Sequence, residues 1–218
     1  MPNALIVVAK RPVPGQTKTR LTPPLSSDEA AQLYEGFLRD TLDLIRCTPN
    51  VRPILAYLPQ DADDYFQTLA PDFDLLPQQG DGLGARLDNI FTYCLTHGHR
   101  RAVVMDSDSP TLPAEFLTRA FTALDAADVV LGPCDDGGYY LIGLKRPAPR
   151  LLREVQMSTP NVARDTLALA AEAGLTVSQL PTWYDVDTAA GLDRLCAELG
   201  TLPANRAKHT HAFLATHL

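Results

Sequence analysis

The sequence predicts a single α/β domain built on a mainly parallel sheet flanked by helices. Three observations carry this. Short apolar runs, of which Ala4-Leu5-Ile6-Val7-Val8-Ala9 is the clearest, alternate with longer segments of helical period. The runs are apolar throughout, as strands are when crossover helices bury both faces of a sheet. Polar and charged residues gather just beyond the runs, at the carboxyl ends of the expected strands, where open α/β sheets bind ligands. One such domain over residues 1–218 accounts for the whole chain.

In order, Ala4–Ala9 is the first strand, and Lys10 to Arg20 follows as a loop, because Pro12, Pro14 and Gly15 bar regular structure. Ser26 and Glu29 are spaced as a capping box, and apolar positions 30, 33, 34, 37, 38, 41, 44 and 45 then keep helical period. Val51–Leu58 is the second strand, with a short helix over 63–69 and a short strand over 73–76 after it. A glycine-rich lead, Gln78 to Gly84, opens a helix whose buried face holds Leu83, Leu87, Ile90, Phe91 and Cys94. Arg101–Met105 is a strand, 113–126 a helix and 128–133 another strand. Asp135-Asp136-Gly137-Gly138 reads as a tight turn into the strand that starts at Tyr139. Thr159 and Pro160 are placed as N-cap and first residue of a helix running to Gly174. A strand over 175–180, a helix over 188–199 and a terminal helix over about 203–218 complete the chain.

Net charge is −7, which argues against a general nucleic-acid or anionic-membrane binder. Residues 1–27 nevertheless hold Lys10, Arg11, Lys18 and Arg20 and no acid, which points to a local anion site. The four cysteines are scattered, without zinc spacing, as thiols in a reducing compartment would be. No apolar run approaches the length of a membrane span, and no leader pattern opens the chain, so the expectation is a cytoplasmic protein without an integral membrane segment.

Val103-Val104-Met105-Asp106-Ser107-Asp108-Ser109-Pro110 is the central stretch. On an extended chain residues two apart point the same way, so Asp106 and Asp108 can aim two carboxylates at one point. Hard oxygen donors at a strand end suit Mg²⁺ or Mn²⁺ carrying a diphosphate. The alternative is a turn that leads into the next helix. The basic loop offers cations, hydroxyls and, at Gly15, close backbone approach to phosphate. It is not a Walker loop. Arg86 falls in a first helical turn, where the dipole disfavours a cation, so it needs either a bound anion or a carboxylate such as Asp81 or Asp88. Asp185 alone reads as a cap or surface acid.

The chain resembles the GT-A, or nucleotide-diphospho-sugar transferase, superfamily, and within it a family of small bacterial proteins regarded as glycosyltransferases. The resemblance rests on Ala9-Lys10-x-Pro12-x-Pro14-Gly15-x-x-Lys18-Thr19-Arg20-Leu21, Gly82-Leu83-Gly84-x-Arg86-Leu87, Ser107-Asp108-x-Pro110, Leu131-Gly132-Pro133-x-x-Asp136-Gly137-Gly138-Tyr139-Tyr140, Ser158-Thr159-Pro160 and Asp185-Val186-Asp187-Thr188. It covers roughly residues 4–195. Molybdenum-cofactor and phospholactate guanylyltransferases are relatives with the same fold and basic loop. The resemblance implies a GT-A fold, with Lys18 and Arg20 on phosphate and Lys10 nearby. It further implies Asp108 as the main metal ligand, assisted by Asp106, with Asp187 completing the site. Asp106 stands where the family more often has a small residue.

The expected function is metal-dependent transfer of a glycosyl group from a nucleotide-sugar donor to a small-molecule acceptor, with Mg²⁺ or Mn²⁺ as cofactor. Asp108 and Asp136 are the expected catalytic residues, Asp136 activating the acceptor. Gly84, Arg86, Gly137, Gly138 and Tyr139 join Lys10, Gly15, Lys18 and Arg20 on the substrates. The alternative is nucleotidyl transfer to a phosphorylated small molecule, releasing pyrophosphate. A second alternative is a nucleotide-binding module without turnover.

Overall fold

Ala4 to Val7 have no exposed surface at all, and their side chains divide between the two faces of a sheet. Leu5, Val7 and Ala9 enter one core while Ala4 and Ile6 enter the other, the period-two alternation of a strand buried from both sides. This is strand β1, Asn3–Lys10, in a computed structural model that describes residues 2–203 and 205–217. The other strands are β2 (Val51–Leu58), β3 (Asp74–Pro77), β4 (Ala102–Met105), β5 (Val129–Pro133), β6 (Tyr139–Leu144) and β7 (Val177–Gln179). They form one seven-stranded sheet in the order β3-β2-β1-β4-β6-β5-β7. All neighbours are parallel except β6, which runs antiparallel to both β4 and β5. The expected mainly parallel sheet flanked by helices is therefore what the chain builds.

The helices are α1 (Ser27–Arg46), α2 (Asp63–Leu69), α3 (Gly82–Thr96), α4 (Ala114–Ala126), α5 (Pro149–Arg153), α6 (Val162–Glu172), α7 (Ala189–Leu199) and α8 (Lys208–His217). No helix is long and apolar enough to cross a membrane among the described residues. Helix α1 starts with the capping box that the sequence predicts: the Ser26 hydroxyl accepts from the Glu29 N–H, and the Glu29 carboxylate accepts from the Ser26 N–H at 2.7 Å. Thr188 caps α7 by accepting from the Gly191 N–H at 3.2 Å.

Two local expectations differ. Helix α6 begins at Val162 rather than at Pro160. Ser158 takes a left-handed φ of 59°, and the Thr159 hydroxyl donates backwards to the Gln156 carbonyl, so the chain turns here instead of entering the helix. That turn packs on Gly137, where a Cβ would lie 1.9 Å from the Pro160 carbonyl oxygen. Helix α5 has only five residues, too few to show a period in the sequence, yet it buries Leu151 and Leu152 fully.

Helix α5 meets α3 at Gly84, where a Cβ would fall 2.0 Å from the Leu152 carbonyl oxygen. Gly84 is thus required by backbone packing. Gly84→Ala forces the two helices apart, and overpacking of this kind costs about 1–3 kcal/mol. The expected result is a fall in the thermal midpoint of roughly 2–4 °C per kcal/mol, measured by circular dichroism. An unchanged midpoint would show that α5 does not press on α3.

Candidate active site

Parallel strands leave their carboxyl ends on one rim, and a pocket of about 410 Å³ opens there. Its walls come from the ends of β1 and β4, the loop after β1, the start of α3 and the segment before α7. Helix α1 passes beneath and sends Tyr34 upward. The Tyr34 hydroxyl accepts from the Lys10 backbone N–H at 3.1 Å and bonds Ser107 Oγ at 2.9 Å, which ties β1 to the Asp106–Asp108 turn. Burial, then the charge of Asp108, pushes the Tyr34 hydroxyl up to about 12, so it stays protonated and remains a donor.

Lys18 is the centre of the site. Its backbone is left-handed, with φ 50° and ψ 39°, just before a 3-10 turn at Thr19–Leu21. Its side chain is 5% exposed, and Nζ lies 2.7 Å from Asp108 Oδ1 and 2.5 Å from Asp187 Oδ1. Burial alone would lower its pKa, but the charges of Asp108 and Asp187 override burial and hold it above its usual value. Arg20 reaches the other oxygen of Asp187 at 2.6 Å. The Asp108 oxygen facing Lys18 is buried and makes no aligned hydrogen bond, so that contact is ionic only.

The stretch Trp183–Asp187 is led alongside the strand ends. Trp183 bridges Cys134 at the end of β5, and the Val186 N–H donates to the Asp108 carbonyl at 2.9 Å. Both Asp185 and Asp187 consequently turn toward the rim, so Asp185 is no surface cap. Burial, then the charges of Asp187 and Asp136, raises Asp185 to about 6. Asp106 is raised as well, by burial first and then by Asp108 and Asp185. The two acids without a cation on them are the two that resist ionisation, the signature of a site short of positive charge.

The pocket brings together Lys10, Lys18, Arg20, Arg86, Asp106, Asp108 and Asp187 out of the residues predicted from sequence. Arg86 pairs with neither Asp81 nor Asp88. Asp88 is taken by Arg153, and the Arg86 Nε is buried without a partner. Other predicted positions lie elsewhere. Gly15, at φ 73°, shapes the exposed turn of the basic loop and meets nothing within 4 Å. Gly84 and Gly137 face backbone carbonyls, as above. The exposed Asp136 accepts the Gly138 N–H at 2.7 Å, fixing the turn before β6. The Tyr139 hydroxyl points to the Met157 sulfur at 3.7 Å, and the Tyr140 hydroxyl donates to the Pro181 carbonyl at 3.0 Å, so neither is turned to the pocket.

Sequence reasoning did not find Tyr34, Gln78 or Ser107. Gln78 is 4% exposed and donates its amide to the Ala56 carbonyl at 2.9 Å, stitching β2 to the pocket wall. Their buried polar character was visible only once neighbours were known. A second acid group was also missed: one ligand atom each from Cys134, Asp136 and Asp185 lie within 4.8 Å of one another. As for metal, Asp108 and Asp187 offer hard oxygens that already converge on one cation, and Asp108 has an oxygen without a hydrogen bond. That donor set fits Mg²⁺ or Mn²⁺.

Comparison with known proteins agrees with this fold. The family described as "Uncharacterized protein conserved in bacteria (DUF2064)" matches residues 41–159. A provisionally assigned nucleotide-diphospho-sugar transferase from Desulfovibrio desulfuricans G20 is 33% identical, with a TM-score of 0.92 over 98% of this chain and 94% of that one. The 2-phospho-L-lactate guanylyltransferase of Methanothermobacter thermautotrophicus is 29% identical over 183 residues, 82% of this chain and 78% of that protein. A CMP:2-keto-3-deoxy-manno-octonic acid synthetase solved with CTP shares the fold alone, at 11% identity and TM-score 0.61, covering 92% of this chain and 99% of that one.

The raised pKa of Asp185 gives a pH test. The native state holds its proton more tightly than the unfolded chain, whose value is near 3.8. The stability tied to that proton is therefore present at low pH and lost as pH rises from about 4 to about 6. Asp185→Asn removes the loss. In EDTA, the variant gains on the wild type across that window and levels off above it, by about 1 kcal/mol after allowance for solvent screening. Urea unfolding at several pH values measures this. A gain that is flat with pH would show that Asp185 is not strained by its neighbours.

Proposed function

The chain belongs to that bacterial family, and on this premise we propose that it is a nucleotidyltransferase, joining a nucleoside monophosphate to an anionic, phosphorylated small molecule with release of pyrophosphate. One observation carries the reading: Lys10, Lys18, Arg20 and Arg86 line one pocket, enough cations for a triphosphate and a second phosphorylated group together. Glycosyl transfer to a hydroxyl calls for a general base within reach of that proton. Asp136, expected in that role, does not line the pocket and holds the Gly138 N–H, and both tyrosine hydroxyls have protein partners. A phosphate acceptor is already ionised near neutral pH and needs no base. The guanylyltransferase relative supports this reading over glycosyl transfer.

In the proposed reaction an acceptor phosphate oxygen attacks the α-phosphorus of a nucleoside triphosphate. The new P–O bond forms as the bond to the β-phosphate breaks, and the electron pair leaves with pyrophosphate. Lys18 and Arg20 would hold the departing phosphates, where negative charge develops. Arg86, whose guanidinium has no carboxylate among the described residues, would face the acceptor anion across the pocket. Tyr34 would keep Lys10 and Ser107 in register beneath them. Asp108 and Asp187, with Asp106 beside them, would hold a divalent cation, which when bound supplies charge neutralisation on the polyphosphate.

The test is a panel of nucleoside triphosphates, each with small phosphorylated acids and Mn²⁺, followed by pyrophosphate release. One or more pairs should release it, and chelation should abolish it. Lys18→Ala and Asp108→Ala should each lower the rate on the order of 10²-fold. Turnover of a sugar nucleotide to nucleoside diphosphate, with every triphosphate left intact, would restore the glycosyl reading. Arg86→Ala should weaken the acceptor more than the nucleotide, raising the acceptor KM with kcat less affected.

A further inference from the structure

We propose that Lys18 occupies the seat a divalent cation needs, so that metal enters this site only as a polyphosphate draws the lysine away. The geometry comes first. Asp108 and Asp187 turn one oxygen each onto the same ammonium, at 2.7 and 2.5 Å. Mg²⁺ sits about 2.0–2.1 Å from its oxygen ligands, and the larger Mn²⁺ slightly farther, so an ion bridging this pair would fall on the position of Nζ. Two cations cannot share the point. The ammonium is also well seated: its side chain is 5% exposed, and Nζ lies 5.9 Å from the Tyr34 ring centre and 5.8 Å from that of Phe37.

The left-handed backbone at Lys18 aims the side chain inward, while its neighbours Gln16, Thr19 and Arg20 stay on the pocket wall. Leaving the seat needs only rotation of a four-carbon stem, because the ammonium is a point charge without fixed bonding directions. A polyphosphate in the pocket offers it at least as much negative charge as the two carboxylates. Once Lys18 turns to phosphate, Asp108 and Asp187 lose their shared cation, and only Arg20 remains on Asp187. The carboxylates then attract a metal strongly. Metal and polyphosphate thus favour each other's binding, and by linkage the coupling is reciprocal. The lysine guards the apo site against free cations, which would otherwise fill it without substrate. The seat itself follows from the geometry alone; the polyphosphate half rests on the nucleotidyltransferase reading.

The experiment titrates Mn²⁺ alone into the chelator-stripped protein and reads free Mn²⁺ by electron paramagnetic resonance. Wild type, Lys18→Met, Lys18→Gln and Arg20→Met are compared, each first checked for a cooperative thermal transition. The two Lys18 variants should bind Mn²⁺ about tenfold or more tightly than wild type, within the usual range of coupling between sites. Arg20→Met, which removes an equal charge but leaves the seat filled, should change affinity much less. Equal tightening by Arg20→Met would reduce the effect to net charge and overturn the proposal, as would Lys18 variants that bind no tighter than wild type. Pyrophosphate release is scored separately. Release without tighter Mn²⁺ binding in the Lys18 variants defeats the seat and leaves the function standing. Tighter binding with no release from any triphosphate does the reverse.

Discussion

Charge balance at the carboxyl rim of the sheet governs this molecule. Four carboxylates, from Asp106, Asp108, Asp185 and Asp187, are held close together at the edge of the core, and among the described residues only Lys18 and Arg20 lie directly on them. Like charges at this density cannot all ionise in a partly dry site. The chain meets the problem in two ways. It bridges two of the acids with a nearly buried ammonium, and it leaves the other two with raised pKa values. Every element near the rim serves that balance: the left-handed turn that delivers Lys18, the Tyr34 hydroxyl that pins the Asp106–Asp108 turn, and the backbone bond from Val186 that brings the late acids alongside.

Much of this was legible in the sequence. The first strand, the capping box of α1 and the Asp-x-Asp at a strand end are local patterns, and local patterns declare themselves within a dozen residues. The meeting of Lys18 with Asp187 spans 169 positions and has no local trace. Only the resemblance to a known superfamily placed both in one site. The misreading of Asp185 is instructive. Alternate residues on an extended segment share a side, so once Asp187 was assigned to the rim, Asp185 belonged there too. The same rule bears on Tyr139 and Tyr140, which as neighbours on a strand point to opposite faces and cannot flank one ligand together.

The one antiparallel strand shapes what the pocket can accept. β6 lies between β4 and β5, and its start, Tyr139 and Tyr140, is reached through the Asp135–Gly138 turn. Both tyrosines are consumed in packing, so this side of the rim supplies walls rather than donors. The cations collect on the opposite side, where the basic loop and Arg86 face Asp106, Asp108 and Asp187 across one pocket. In this flank Gly137 admits the Pro160 carbonyl and the Tyr140 hydroxyl donates to the Pro181 carbonyl.

Helix α1 carries this organisation away from the rim. Its buried Asp40 accepts the backbone N–H groups of His209 and Thr210 at 3.0 and 2.8 Å, fastening the start of helix α8 to it. The same helix supports Lys18 with Tyr34 and Phe37. Helix α8 is thereby a foundation of the reactive centre, although none of its residues lines the pocket. In a genetic screen, lesions in α8 or at Asp40 would be scored with the catalytic class, and a map of inactivating alleles would mark two distant regions that share one mechanical cause.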